Sequence, residues 1–478
     1  MENDNQNYHT DTDIIFVVPP ISTQFFSDAP SLGIAYLAAI LEPFYKVSVF
    51  ECQTDRVFES IDIVLKIKSQ KPKIIGLSLT TLNIPQAKKI IEHIHKMDDR
   101  PVLIAGGPHA TVLPDETLAI GVDYVIIGEG EKTVLELMDF IFNRSSFKKI
   151  DEIQGVAFIR DNQVVMTNKR ELTDVSSLPF PAWQYFKIER YNSVVRKNNR
   201  CLPVMAGRGC PGCCTFCFKG LFGTKLRLRS PENVVDEIQY LKENFHIDEF
   251  VILDENFTTV KKYVLDFCNL LIERKINLPW FLGSGVRVDR VDDEIVQIMK
   301  LAGCYRTSLG VESGNEQILK DIGKNTTKSQ IINAVALFKK YEYELTLFFI
   351  LGTPTETYES IIDSIEFAIE LDPDIIQFSI ATPFPGTAMF EQLDSEGLLL
   401  TKDWQDYNIY IPGNKPIFTH PNLSWNELLK LRRRAYKDFY FRIGFAMKQI
   451  RNIKSFSDFQ LLLKKTLSFL KMFSTKGK

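Results

Sequence analysis

The chain alternates short, β-branched apolar runs with amphipathic stretches, twice over, and this rhythm restricts its fold more than any other feature. In the first series the runs are Ile14–Val18, 46–50, 73–79, 101–106 and 123–128, separated by helical patterns such as Leu32–Leu41 and 84–97. Near-continuous apolar strands that alternate with helices imply a parallel sheet covered on both faces. The expectation for 1–150 is therefore an α/β, doubly wound domain whose ligands sit beyond the carboxyl ends of the strands. Residues 151–200 break the rhythm. Within them 155–168 read as a hairpin with a polar turn, and 176–183 as a proline-stiffened crossing. A second series has strands at 202–207, 249–254, 280–285, 307–312, 345–352 and 375–381, with helical patterns between them such as 231–244 and 328–341. Six βα units predict a partial, TIM-like barrel over 201–395 with its site at the carboxyl ends of the strands. Residues 396–478 carry no strand pattern and read as helical.

Four of the eight cysteines fall within Cys210-Pro211-Gly212-Cys213-Cys214-Thr215-Phe216-Cys217, directly after the first strand of the second series. The others (Cys52, Cys201, Cys268 and Cys304) are scattered, as small buried hydrophobes usually are. Four clustered thiols in a reducing compartment point to a metal. One reading is structural zinc, because Cys210–Cys213 and Cys214–Cys217 are both C-x-x-C pairs. Zinc ribbons, however, separate such pairs by about 15–20 residues so that two knuckles converge. The other reading uses Cys210, Cys214 and Cys217, spaced C-x-x-x-C-x-x-C, as ligands of a [4Fe–4S] cluster. Three thiolates leave one iron open to bind a small molecule and pass it an electron.

That spacing, in a loop after the first strand of a βα barrel, resembles the radical S-adenosylmethionine superfamily. The resemblance implies that the open iron chelates S-adenosylmethionine. One electron from an external reductant then cleaves it to methionine and a 5′-deoxyadenosyl radical. Phe216 matches the aromatic residue common before the last cysteine, whereas Cys213 departs from the pattern and is expected to be a spectator. Asp254-Glu255-Asn256-Phe257 ends the second strand, where the family contacts the amino group of S-adenosylmethionine, although Gly-Gly-Glu is more usual there; Glu255 is the implied contact. Gly310-Val311-Glu312-Ser313 ends the fourth strand and resembles the element that reaches the ribose or carboxylate, implying Glu312 and Ser313. Gly352 begins the loop after the fifth strand, on the adenine side. The resemblance covers about 202–395.

The first domain resembles the cobalamin-binding domain that precedes the barrel in a class of radical enzymes containing many methyltransferases. The matching segments are Pro19-Pro20, Pro30-Ser31-Leu32-Gly33, Ser78-Leu79-Thr80-Thr81, Gly106-Gly107-Pro108-His109 and Gly128-Glu129-Gly130-Glu131. The resemblance implies cobalamin contacts at Ser31, Leu32, Gly33, Ser78, Thr80, Gly106, Gly107, His109, Gly128 and Glu129. Glycines would permit close backbone approach, and hydroxyls could bond the corrin amides. No Asp-x-His-x-x-Gly is present, so no histidine of that motif replaces the lower cobalt ligand. Together the resemblances imply a cobalamin-dependent radical enzyme that methylates an unactivated carbon. Ring closure or rearrangement would need the same cofactor sites. A zinc-stabilised binding protein is the reading from another class.

Composition excludes little. Hydrophobic residues make up 45% and charged residues 24%, with a net charge of −3 that singles out no nucleic-acid partner. The polar, acidic N-terminus is no signal peptide and no apolar run approaches the roughly 20 residues that cross a bilayer, so a cytoplasmic enzyme is expected. From 430 to 478, however, fourteen Lys and Arg oppose only Asp438 and Asp458, leaving −15 on the rest of the chain. Aromatic residues such as Tyr436, Phe439, Tyr440, Phe456 and Phe469 interleave with them. This predicts a helical cap with its aromatic face on the barrel and its cations solvated. The alternative is a basic surface resting on the inner face of an anionic membrane, bringing the enzyme to a lipid-like substrate.

Overall fold

The computed structural model describes residues 11–21, 29–191, 198, 200–407 and 415–451. The first apolar runs form β1 (Ile14–Val18), β2 (Val47–Glu51), β3 (Ile74–Ser78), β4 (Val102–Gly106) and β5 (Tyr124–Ile126). They pair in parallel in the order β2-β1-β3-β4-β5. The strands are apolar on both faces because helices cover both. Ile14 and Phe16 pack with Ile34 and Leu137 on one side, while Ile15 and Val17 pack with Ile63 and Ile90 on the other.

Two antiparallel strands, β6 (Val156–Arg160) and β7 (Gln163–Met166), extend this sheet beyond β5. Their turn residues, Asp161 and Asn162, have φ of 51° and 60°, the mirror-image geometry that matches strand twist. The hairpin expected at 155–168 is thus the edge of the first sheet. The crossing that follows lies back along the helix Leu32–Leu41, with Ala182 N donating to Ala35 O at 3.0 Å and the Trp183 side chain buried.

The second series gives β8 (Cys201–Val204), a short ribbon of β9 (Gly207–Arg208) and β10 (Arg227–Leu228), then β11 (Glu249–Ile252), β12 (Trp280–Val286), β13 (Cys304–Glu312), β14 (Glu344–Leu351) and β15 (Ile375–Ile380). Apart from the ribbon, the strands are parallel and in sequential order from β8 to β15, so six βα units curl into an open barrel. The free edge at β15 is covered by the helix Trp425–Tyr440. The hydroxyls of Tyr436 and Tyr440 accept from Phe378 N and Ile376 N at 3.0 and 3.1 Å, and Arg432 Nε donates to Phe378 O at 2.9 Å. These bonds satisfy backbone groups that an exposed edge would offer to another chain. The helical cap expected here is present over Trp425–Tyr440 and Ile443–Arg451, whereas the described residues 396–407 and 415–424, also expected to be helical, form turns and an antiparallel bridge between Leu399 and Phe418. Lys454, Lys464, Lys465, Lys471, Lys476 and Lys478, on which the membrane reading leans, lie outside the described residues. No helix among the described residues is long and apolar enough to cross a membrane.

The domains meet over buried charge. Arg229, 2% exposed, donates to Glu237 Oε2 at 2.5 Å, to Met205 O at 2.9 Å and to the Tyr36 hydroxyl of the first domain at 3.3 Å. Glu237 is fully buried, and burial pushes its carboxyl up against the pull of Arg229. Removing one partner of such a pair leaves the other charge without compensation. Arg229→Leu is expected to cost about 3–5 kcal/mol in urea unfolding. Arg229→Lys, which keeps the charge, should cost less. A loss below about 1 kcal/mol, the range of an exposed pair, would contradict the assignment.

Candidate active site

Because β9 pairs antiparallel with β10, the residues between them form a loop closed at its base and set at the carboxyl end of β8. Cys210 and Cys214 are half-buried in it, and Cys213 and Cys217 are exposed. The turn at 322–325 packs on this loop: Thr215 N donates to Ile322 O at 2.9 Å. Cys213 is engaged by the same turn. Its Sγ donates to Gly323 O at 3.3 Å and accepts from Asn325 Nδ2 at 3.4 Å. Among the described residues no three His, Cys, Asp or Glu side chains converge on a single ion.

The electrostatics favour a thiolate at Cys214. A hydrogen bond from Cys217 holds the Cys214 thiol down at about 6 and pushes that of Cys217 up. Lys324 and Arg287 add positive charge beside Cys214. Arg287 is fixed by Asp289 Oδ1 at 2.9 Å and by Lys324 O at 3.0 Å. Lys324 is buried and pairs with Glu312 Oε1 at 2.9 Å, and Glu312 reaches it from the end of β13 with a φ of 67°. Glu255 Oε2 accepts from Gly209 N at 3.2 Å, next to the first cysteine. Phe216 is half-buried in the same loop. Two expected contacts are turned elsewhere. Ser313 is buried, its hydroxyl bonded to Ser364 at 3.0 Å and accepting from Asn315 N at 3.1 Å, because it shapes the turn into the next helix. Gly352 is needed for packing: a Cβ there would fall 2.9 Å from Leu428 Cδ2 of the C-terminal helix.

On the first domain, Gly33, Ser78, Gly106, Gly107, Gly128 and Glu129 line one cavity at the strand ends, and Arg208, Leu221 and Phe222 of the cysteine-loop region complete it. Gly33 and Gly128 face open space where a side chain would project, a cradle suited to a bulky flat group. Gly107 takes a φ of 103°, and a Cβ there would meet Leu79 O at 2.7 Å. Four of the expected contacts lie away from this cavity. Ser31 N donates to Glu51 Oε1 at 2.8 Å at the sheet edge. Leu32 packs against the cluster of Tyr36, Val175, Leu178 and Met205. Thr80 lines a different chamber. His109 is 1% exposed, with Nδ1 3.1 Å from Thr81 Oγ1 and its ring edge-on to Trp404 at 5.4 Å. Burial lowers its pKa to about 4, so it is a neutral packing residue near neutral pH. The short helix Pro108–Val112 begins there and turns its side chain toward the C-terminal segment.

Glu129 does more than line the cavity. It accepts from Arg208 at 3.0 Å, from Arg227 at 2.8 Å and from Thr173 N at 2.6 Å, joining the first sheet to the base of the cysteine loop. Burial works against its charge, but Arg227 and Arg208 win and hold its pKa low. Sequence reasoning missed Arg208, Arg227, Arg287 and Lys324. Arg208 stands two residues before Cys210, yet its partners are 77 and 79 positions away and no local pattern connects them.

The B12 binding domain family model matches residues 20–138, and the radical SAM superfamily model matches 204–368. A relative in Pyrococcus horikoshii, named as an uncharacterized methyltransferase, is 32% identical over 448 residues, 91% of this chain and 94% of its own. An anaerobic magnesium-protoporphyrin IX monomethyl ester cyclase of Rubrivivax gelatinosus is 27% identical over 421 residues, 87% of this chain and 74% of its own. Among solved structures, the cobalamin-dependent S-adenosylmethionine radical enzyme OxsB, with aqua-cobalamin and S-adenosylmethionine bound, shares the fold. Its TM-score is 0.74 at 18% identity, covering 97% of this chain and 72% of that one. With both family models in the order of the two sheets and a relative matched along nearly its whole length, the chain belongs to the radical S-adenosylmethionine superfamily, in the branch of enzymes that carry a B12-binding domain ahead of the barrel and use cobalamin, S-adenosylmethionine and a [4Fe–4S] cluster.

Proposed function

We propose that this enzyme methylates an unactivated carbon of a small-molecule substrate. The observation that carries the reading is a shared cavity: strand-end residues Gly107 and Gly128 of the first sheet and Arg208 and Phe222 of the cysteine-loop region line the same space. When bound, the cluster and S-adenosylmethionine supply a hydrogen-abstracting radical and cobalamin supplies the methyl group. The work of the protein is to hold these groups in alignment and away from water.

Cys210, Cys214 and Cys217 hold the cluster, and Lys324 and Arg287 favour the ionised form of Cys214. Cys213 stays with Gly323 and Asn325. Glu255, beside Gly209, offers a carboxylate to the amino group of S-adenosylmethionine, and the Glu312–Lys324 pair offers both signs of charge to its polar end. Phe216 supplies an apolar wall. Gly33, Ser78, Gly106, Gly107 and Gly128 form the cradle for cobalamin. An external donor supplies the electron. A second reading, ring closure on the same cofactors, draws support from the cyclase relative.

Two measurements test this. Cys210→Ala, Cys214→Ala and Cys217→Ala, purified without oxygen, should each lose iron and sulfide, whereas Cys213→Ala keeps both; an intact cluster in Cys214→Ala would contradict the ligand set. Reduced holoenzyme given S-adenosylmethionine with a deuterated methyl group, and a metabolite extract from cells lacking the enzyme, should yield 5′-deoxyadenosine and a product carrying the label. A dehydrogenated or ring-closed product without label would replace methylation by the second reading.

A further inference from the structure

A second chamber, of about 250 Å³, opens beside the cysteine loop. Its walls are Phe216 and Phe218 of that loop, residues 80–82 after β3, Pro108 and Val112 after β4, and the turn that follows β15 around Phe384 and Pro385. Strand-end loops of both sheets therefore border it, and it opens to solvent. The loops touch at Gly386, whose φ is 79°: a Cβ there would fall 2.4 Å from Val112 Cγ2 of the first domain and 2.8 Å from Phe218 Cε2. Gly386 lets the barrel, the cysteine loop and the first domain close on one another.

Among the described residues, no charged side chain lines this chamber, and its polar lining is three threonines. Two of their hydroxyls are committed. Thr387 Oγ1 donates to Phe384 O at 2.6 Å and accepts from Phe390 N at 3.2 Å as a helix cap, and Thr81 Oγ1 is bonded to His109. Thr80 stands exposed at the rim. A charged group seated against this lining would lose hydration without a charged partner to replace it. Three phenylalanines favour the face or edge of a flat ring.

We propose that this chamber receives the substrate, and that the part entering it is an uncharged, flat carbon skeleton of two fused rings or their equivalent. The proposal rests on the functional reading above and adds the substrate class. The competing occupant is the adenine of S-adenosylmethionine, also flat and uncharged.

The test uses anaerobically reconstituted holoenzyme and two probes of one shape, 2-naphthol and naphthalene-2-sulfonate, with binding followed by calorimetry. The neutral probe should occupy one site, and the sulfonate should bind at least about tenfold more weakly. Val112→Trp, which fills the chamber, and Phe384→Ala, which removes a wall without adding bulk, should each weaken naphthol at least about tenfold. S-adenosylhomocysteine should leave naphthol in place. Equal affinity for both probes, undiminished binding in both variants, or displacement by S-adenosylhomocysteine would overturn the proposal, the last by assigning the chamber to the nucleoside. Reductive cleavage of S-adenosylmethionine in the wild-type preparation reports separately on the enzyme reading. Cleavage without naphthol binding overturns the chamber assignment alone; naphthol binding without cleavage upholds the chamber and overturns the radical chemistry.

Discussion

The structure depends on one buried ionic junction: the Glu129 carboxylate at the end of β5, held by Arg208 and Arg227 on the ribbon beneath the cysteine loop. Glu131 adds a second acid to Arg208 at 2.5 Å. Arg208 and Glu129 are almost wholly buried, so the attraction acts with little screening, and its loss would strand charge inside the protein. A junction of this kind adds little net stability over an apolar contact of the same size, but it has few acceptable geometries. That restriction suits its location, since it sets the registration between two faces on which cofactors must meet.

The same economy of charge runs outward from the junction. Arg229 and Glu237 link the Tyr36 helix to the first barrel helix. Lys324 and Glu312 place a buried ion pair against the cysteine loop, and Arg287 braces the Lys324 backbone. Between these polar struts the lining is apolar and glycine-rich, leaving room for large cofactors. The C-terminal region completes the enclosure from outside: Tyr436 and Tyr440 seal the free edge at β15, while Trp404 packs against His109 of the first domain.

Much of this was legible in the sequence, for physical reasons that differ by element. Strand–helix alternation reports burial on both faces of a sheet, so both sheets and the hairpin were readable from periodicity and one Asp-Asn turn. The cysteine loop was readable because its spacing is local. What periodicity cannot show is where a side chain points once a turn is made. Ser313 and His109 sit in matching segments, yet one bonds the helix behind it and the other faces Trp404. Gly352 signals close approach correctly, but the approaching group is Leu428, 76 positions later in sequence. Lys324 and Arg287 were invisible because their importance comes only from proximity to cysteines more than seventy residues away.

The central claim is that the two sheets present their strand ends to one common space, so that cobalamin and the iron–sulfur cluster are neighbours. Electron paramagnetic resonance of the reduced holoenzyme, with cobalt as Co(II), tests this most directly because both centres then carry unpaired spin. The account predicts mutual broadening and faster relaxation of the two signals, absent from samples that hold only one centre. Two unperturbed signals that simply add would contradict it.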